Sequence, residues 1–410
     1  MNMENIKTPY FVIDEEILQR YYNMLTDSLA ANWNNYLVGY SFKTNSLPWL
    51  VAFVREQGAY AEVVSEDEYL LARHLGYDAG QIIYNGPYKS NSSFREVLLA
   101  GGYVNLDSKQ ELNWLTELTA EYPNRRFSVG IRVNFDLEKM CPGETTMGEE
   151  SGRFGFCYET GQFASALQTL SKMGNVTVAG LHLHSSSKSR SVGIFRAIAQ
   201  MACKLQREFN LTLSYVDLGG GYCGGMEGRP EYPDYFPVIA EELSGCFSPE
   251  QTKLIVEPGI SLISKCTTFV TSVYDTRDIK GTRYVMTDGS RFNIDATMIK
   301  TSHMFHIMET EEENNRPILD KQIVSGFTCM ECDRIFTYEN AAELCTGDRI
   351  VYENVGGYTM SLNPLFIQYF PAVYIRRNGK LLQVRRKWTP EDYVQGSVTG
   401  INPNPEALQR

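Results

Sequence analysis

The stretch that decides the fold reads Val176-Thr177-Val178-Ala179-Gly180-Leu181-His182-Leu183-His184, a helical pattern from Val192 to Phe209, then Leu213-Ser214-Tyr215-Val216-Asp217-Leu218-Gly219-Gly220-Gly221. A second helical pattern from Tyr235 to Leu243 follows, and then Lys253-Leu254-Ile255-Val256-Glu257. Each apolar or β-branched run is short and ends in a polar or glycine-containing turn before a helix-period segment, which is the punctuation of βα units. Toward the N-terminus the alternation continues through Tyr36 to Phe42, Tyr60 to Val64, Gln81 to Tyr84, Gly102 to Asn105 and Phe127 to Asn134. Helical patterns at Leu47 to Gln57, Glu66 to His74, Ser90 to Ala100, Ser108 to Tyr122 and Thr160 to Met173 lie between them. Eight such runs alternating with helices predict an α/β fold built on a (β/α)8 TIM-like barrel, which typically takes about 250 residues.

After Ile260 the pattern changes. Thr267 to Tyr274, Arg283 to Thr287, Gln322 to Gly326, Arg349 to Glu353 and Ala372 to Arg376 are strand-like with few helices between them, which predicts a C-terminal β-rich domain, a β-sandwich or barrel. The expected division is an N-terminal strand and helix over 1–25 packed on the β domain, a barrel over 26–262 and the β domain over 263–410.

With 410 residues, 43% hydrophobic and 21% charged, the chain can bury a sizeable core and differs from disordered or coiled-coil sequences. The formal charge of -11, with no basic run, argues against nucleic acid and anionic membranes as partners. No apolar run approaches the ~20 residues of a membrane span, and Met1 to Phe11 lacks a signal-peptide pattern. Nine scattered cysteines read as free thiols of a reducing compartment, so a cytoplasmic protein is expected.

In a barrel the active site lies at the C-terminal ends of the strands. The first run ends in Lys43, the second in Glu62 and Ser65, the third in Asn85, the fifth in Arg132 and Asn134, the sixth in His182 and His184, the seventh in Gly219 to Gly221 and the eighth in Glu257. Lys43 is either an ordinary surface lysine or an amine made nucleophilic by desolvation and fit to form a Schiff base. Gly219-Gly220-Gly221-Tyr222-Cys223-Gly224 satisfies G-x-G-x-x-G, but it follows the seventh run rather than the first, where a dinucleotide site belongs. Loops after strands 7 and 8 of barrels often bind phosphate, and a tight structural turn is the plainer alternative. Glu257 needs a cation or a protonated ring nitrogen if it faces the barrel interior, and a structural ion pair would also satisfy it. His182 and His184 are read as pointing to opposite faces with no third ligand, so no metal is expected. Cys329-Met330-Glu331-Cys332 is one C-x-x-C without the second pair of a zinc site, leaving two unremarkable thiols or one reactive thiol at Cys329.

A lysine, a phosphate turn, a flat ring and a carboxylate on one barrel mouth fit one cofactor, pyridoxal 5'-phosphate. The chain resembles the fold-type III pyridoxal phosphate decarboxylases, the group of diaminopimelate, ornithine and arginine decarboxylases. The resemblance rests on Thr8-Pro9-Tyr10-Phe11-Val12-Ile13-Asp14, Tyr40-Ser41-Phe42-Lys43-Thr44-Asn45, Glu62-Val63-Val64-Ser65-Glu66-Asp67-Glu68 and Asn85-Gly86-Pro87-Tyr88-Lys89. It continues through Arg132-Val133-Asn134, Arg153-Phe154-Gly155, Gly180 to His184, Leu218 to Gly221, Glu257-Pro258-Gly259, Cys329 with Asp333, and Gly356-Gly357-Tyr358. It implies that Lys43 carries the cofactor, that His184 stacks on its ring and that Glu257 meets its protonated nitrogen. Gly219, Gly220, Gly221 and Tyr358 are implied to bind the phosphate, with Glu62 and Arg132 beside the cofactor. It also implies that Cys329 reaches a neighbouring subunit's site to deliver a proton, so a homodimer with shared active sites follows. The implied activity is decarboxylation of a small amino-acid-type substrate in amino-acid biosynthesis.

The chain departs from the family in three places. Ile260 stands where relatives write an arginine after Glu-Pro-Gly, no Arg-Pro appears around Arg291 to Met298, and Met330 follows Cys329 where relatives carry an acid. Methionine cannot accept a charge-assisted hydrogen bond, so Met330, Glu331 and Asp333 are the residues expected to set an altered substrate preference. A racemase of the same fold, a non-catalytic cofactor-binding homologue and a dinucleotide-dependent oxidoreductase are the competing readings, and retention of Lys43, His184, Glu257 and Cys329 argues against the second.

Overall fold

The eight expected runs form the strands Tyr36–Ser41, Tyr60–Ser65, Ile82–Tyr88, Tyr103–Leu106, Phe127–Asn134, Val176–His182, Tyr215–Asp217 and Lys253–Val256. Each pairs in parallel with the next, and the eighth returns to the first, so the ring is closed. The computed structural model describes residues 6–309 and 316–397. Its two compact units are Arg20–Ile263, which holds the barrel, and Met1–Gln19 with Ser264–Arg410, which holds a nine-stranded mixed sheet.

Serine makes the strand-to-helix transitions of the barrel abrupt. Ser65, Ser90, Ser108 and Ser191 are extended N-cap residues whose hydroxyls each accept the N–H three residues on, a contribution of about 1 kcal/mol apiece. The loops that carry the site are therefore short and anchored at their helix ends.

The barrel interior is plugged below its mouth. Ile83, Ala179, Tyr215 and Ile255 form a buried cluster to which Leu37, Tyr60 and Tyr103 add their side chains. The Tyr215 ring takes the space that side chains on two neighbouring strands would need: a Cβ on Gly180 would stand 2.2 Å from the ring and one on Gly130 2.1 Å from its hydroxyl.

In the sheet unit, Tyr10–Asp14 lies antiparallel to Thr267–Ile279 and parallel to Ala372–Arg377. The apolar side chains Tyr10, Val12, Val270, Val351 and Tyr374 make a buried cluster there. Three strands go beyond the sequence reading: Phe305–Met308, Arg334–Ala342 and Lys380–Arg385. The last pairs with Ala372–Arg377 through the turn Asn378-Gly379, whose φ angles of 49° and 71° are those of a hairpin turn.

One ion pair inside the barrel unit is fully withdrawn from water. Lys89 donates to Glu111 Oε2 at 2.9 Å, to the Gly86 carbonyl at 2.6 Å and to the Asn105 carbonyl at 3.1 Å, and both side chains are essentially unexposed. Removing one partner strands a buried charge. Lys89→Ala is expected to cost about 3–5 kcal/mol in denaturant unfolding, whereas Lys89→Met combined with Glu111→Leu should recover most of that loss.

Candidate active site

Strand residues two apart share a face. Two positions beyond Tyr215, Ile255, Ile83, Gly180, Gly130 and Asn105 stand Asp217, Glu257, Asn85, His182, Arg132 and Asp107, all buried. An apolar plug is thus followed, one inward step up the barrel, by a layer of polar and ionisable groups. Burying them requires that they satisfy one another.

Lys43 lies in the turn after the first strand, its side chain partly exposed, with Nζ 2.6 Å from Glu62 Oε2. The other Glu62 oxygen accepts from Asn85 Nδ2 at 3.2 Å, and the same amide nitrogen donates to Glu257 Oε1. Asn85 therefore ties the counter-ion of the lysine to the carboxylate at the end of the eighth strand. Asn105 Nδ2 donates to Asn85 Oδ1 at 2.8 Å and to Asp217 Oδ2 at 3.3 Å, while the Tyr215 hydroxyl donates to Asn105 Oδ1 at 2.8 Å. Glu68, half-buried one helical turn beyond Ser65, accepts from the Val64 N–H at 2.8 Å. Burial first, and the neighbouring Glu62 charge as a smaller contribution, push its carboxyl up to about 7.

His184 accepts the Gly220 N–H at Nδ1, 3.2 Å away. Loss of solvent lowers its pKa to about 3, against a smaller opposing pull from Glu257, so the imidazole is neutral at physiological pH and flat. The glycine turn holds its own geometry: Gly219 N–H donates to Asp217 Oδ1 at 2.9 Å, and the Gly219 carbonyl accepts from Glu257 N–H at 2.9 Å. A Cβ on Gly219 would meet His184 at 2.4 Å and one on Gly220 the Glu257 carbonyl at 2.1 Å, whereas nothing lies within 4 Å of that position on Gly221, whose φ is +98°. The first two N–H groups are thus used internally, and Gly221 offers the open backbone. Arg132 pairs with Asp107 at 3.0 Å and lies 4.8 Å over the Phe154 ring. A cavity of about 430 Å³ opens beside it, lined by Asn134, Arg153, Phe154, His184 and Ser185 among others.

The expectation that His182 and His184 diverge is corrected. They are two residues apart, and their rings are nearly parallel at 12° with centroids 6.3 Å apart, as the strand period requires. Beside that pair, His182 is grouped instead with two carboxyl groups: polar atoms of His182, Asp217 and Glu257 lie within 4.8 Å of one another. Asp217, Asn105, Asp107 and Glu68 were not singled out by the sequence reading. For Asp217 the available signal was an acid inside the apolar run Tyr215-Val216-Asp217-Leu218, two residues before the glycines.

Lys43, Glu62, Arg132, His184, Gly219 to Gly221 and Glu257 all belong to the barrel unit. Cys329, Met330, Glu331, Asp333 and Tyr358 belong to the sheet unit. Cys329 and Met330 are exposed, as is Cys332, and Glu331 is almost fully solvated. Asp333 is not available as a substrate contact. It is buried, and its carboxylate accepts from Ser290 Oγ, the Arg291 and Thr328 N–H groups and Thr328 Oγ1, so it holds the loop on which Cys329 stands. Arg291 is likewise taken up, by Asp295 and by the carbonyls of Met298 and Lys300. Tyr358 is partly exposed with φ +62°.

The barrel donor set fits pyridoxal phosphate: an amine with a carboxylate to take its proton, a neutral flat ring, an open backbone turn and a carboxylate at the far strand end. Both ring nitrogens of buried His182 also lack a hydrogen-bond partner among the described residues, so the cluster under the mouth holds unspent polar capacity.

Residues 16–264 match the family described as pyridoxal-dependent decarboxylase, pyridoxal binding domain. The chain is 24% identical to an L-glutamyl-[BtrI acyl-carrier protein] decarboxylase of Niallia circulans, covering 95% of this chain and 94% of that one. It is 23% identical to a diaminopimelate decarboxylase of Aquifex aeolicus, covering 88% and 86%. A diaminopimelate decarboxylase of M. jannaschii crystallised with L-lysine superposes with a TM-score of 0.83 at 21% identity, over 99% of this chain and 94% of that one. Among the described residues no helix is long and apolar enough to cross a membrane. With a barrel whose strand ends carry the matching donor set, the chain belongs to the pyridoxal-dependent decarboxylases and is a carboxy-lyase that uses pyridoxal phosphate.

Proposed function

We propose that this carboxy-lyase releases carbon dioxide from an amino acid or amino-acid derivative in a biosynthetic route, with a substrate preference shifted from that of diaminopimelate decarboxylases. The observation that carries the reading is Lys43 Nζ at 2.6 Å from Glu62, in one hydrogen-bonded layer with Glu257. Bound pyridoxal phosphate supplies an electron sink for the pair released when the carboxylate leaves. The protein side chains do the rest. Lys43 would be the residue that holds the cofactor, and Glu62 Oε2, 2.6 Å from Nζ, would take and return the proton there. Glu257 would hold a proton on the ring nitrogen, the uncharged His184 ring would support the ring, and the Gly221 N–H would bind the phosphate. Arg132, fixed by Asp107, adds positive charge at the same mouth.

Cys329 is proposed to deliver the proton to the carbon that has lost its carboxylate, reaching the site of a second copy in a homodimer. Met330 supplies no charged acceptor beside it, and Ile260 removes a cation from the turn after Glu257. Both changes favour a substrate whose distal end is less charged than that of diaminopimelate.

Purified protein should show a visible cofactor band that Lys43→Ala lacks. Carbon dioxide should be released from one member of a panel that includes diaminopimelate and an L-glutamyl-[acyl-carrier protein]. Exchange of the α-proton without carbon dioxide would replace this reading with a racemase.

Shared sites give a separate test. Lys43→Ala and Cys329→Ser homodimers should each be impaired, the latter by about a hundredfold or more. Equal mixing should restore about a quarter of wild-type turnover, because half of the dimers then hold one intact site. No recovery on mixing would place both residues in one subunit's site.

A further inference from the structure

Four carboxyl groups and two cations meet at the polar layer of the barrel. Lys43 is 2.6 Å from Glu62, and Arg132 is 3.0 Å from Asp107, so each cation already has its anion. Asp217 and Glu257 remain, 0% and 3% exposed, with carboxylate oxygens within 4.8 Å of each other and of His182. His182 brings no charge, because burial lowers its pKa well below the usual value. Two carboxylates this close in a dry interior cannot both ionise. Their surroundings decide which one keeps the proton.

Glu257 ends the eighth strand at the mouth, accepts the Asn85 amide, and has His182 Nε2 at 3.5 Å. Asp217, the last residue of the seventh strand, pairs in register with Ile255, two residues before Glu257, and has only the Gly219 N–H at 2.9 Å and a long 3.3 Å contact from Asn105. The Tyr215 hydroxyl occupies Asn105 Oδ1, which turns the amide so that its N–H groups face Asp217 and Asn85. We infer that Asp217 is a neutral carboxylic acid that donates its proton in a hydrogen bond to Glu257, making Asp217 the positioning residue that holds the Glu257 carboxylate ionised and aimed for the cofactor's ring nitrogen. Burial, then the Glu257 charge and the hydrogen bond to it, raise the Asp217 pKa well above the carboxylate range, in agreement with this geometry. A carboxylic acid kept neutral by its site to act as a donor is established chemistry. The positioning role rests on Glu257 being the ring-nitrogen partner; the protonation of Asp217 does not.

Two substitutions separate these possibilities. Asparagine is a neutral donor of nearly the same shape, whereas leucine donates nothing. Asp217→Asn holoenzyme should keep the visible cofactor band and turn over within about threefold of wild type. Asp217→Leu, checked for native circular dichroism, should retain cofactor about tenfold more weakly. The infrared difference spectrum of wild type minus Asp217→Asn at pH 8 should contain a protonated-carboxyl stretch, a subtraction that cancels Glu111 and Glu68. Stability gives a pH readout. Facing Asp217 are Glu257, Glu62, His182, Tyr215 and Tyr222, while Lys43 and Arg132 are held by Glu62 and Asp107. Asp217 has a raised folded-state pKa, so wild type loses stability as pH climbs above the unfolded-state value, and the Tm advantage of Asp217→Asn should widen from pH 5 to pH 8. No infrared stretch at pH 8, or Asp217→Asn losing cofactor as severely as Asp217→Leu, would overturn the inference. A stretch with full cofactor retention in Asp217→Leu would overturn the positioning role alone. Failure of the decarboxylase reading would show differently, as absence of carbon dioxide with the infrared and Tm results intact.

Discussion

The 2.6 Å contact between Lys43 and Glu62 sets the terms for the rest of the barrel interior. A lysine that is to act as a nucleophile must be able to shed its proton next to an acceptor, yet an acceptor that is 1% exposed needs donors of its own. Asn85 answers that need by donating to both Glu62 and Glu257. Its own carbonyl then has to be satisfied, and Asn105 does so. Asn105 in turn is oriented by Tyr215, which is also the ring that plugs the barrel. One ionisable contact at the mouth thus propagates, through obligatory hydrogen-bond satisfaction, to the hydrophobic floor. Packing and chemistry share residues here, so neither could be redesigned alone.

The layered order follows from strand geometry. Inward-facing positions recur every second residue, which leaves each strand one position for the floor and the next for the site. Where Tyr215 fills the floor, its neighbours must be Gly130 and Gly180, and two residues later those same strands place Arg132 and His182 among the ionisable groups. The cost of gathering buried charge in this layer is met by pairing cations with carboxylates and by leaving His182 neutral. It is also carried by structural pairs a little further out, such as Lys89 with Glu111, which fix the loops after the third and fourth strands.

All eight barrel strands were legible because buried parallel strands are short apolar runs, and because serine caps and glycine turns mark their ends. The sheet unit was less so. Arg334–Ala342 carries exposed Arg334, Thr337, Glu339 and Asn340 between its inward residues, and Lys380–Arg385 buries Leu381 while Leu382 and Gln383 are exposed, so neither has the continuous buried run that marked the barrel strands. Within the site, Lys43, Glu62, His184 and Glu257 stood out as ionisable groups at strand ends. Asp217, Asn105 and Asp107 did not, because their importance lies in whom they meet across the barrel, and one sequence shows only neighbours along the chain. Asp333 failed in the opposite direction. An acid beside Cys329 looked like recognition chemistry, but its partners Ser290, Arg291 and Thr328 make it a loop anchor.

The same division explains why identity near 24% suffices for a reaction class and not for a substrate. The groups that make and break bonds sit at strand ends, where register and the two-residue period hold them whatever the loops do. The groups in which this chain departs from the family pattern stand outside the barrel strands, Ile260 at the start of the short helix Ile260–Ile263 and Met330 in a loop, where substitution leaves the barrel undisturbed. A change there leaves Lys43, Glu62, Asn85 and Glu257 in their network. Substrate preference can therefore drift across this family at little thermodynamic expense, whereas a change in any member of the buried layer would leave another member's charge or hydrogen bond unsatisfied.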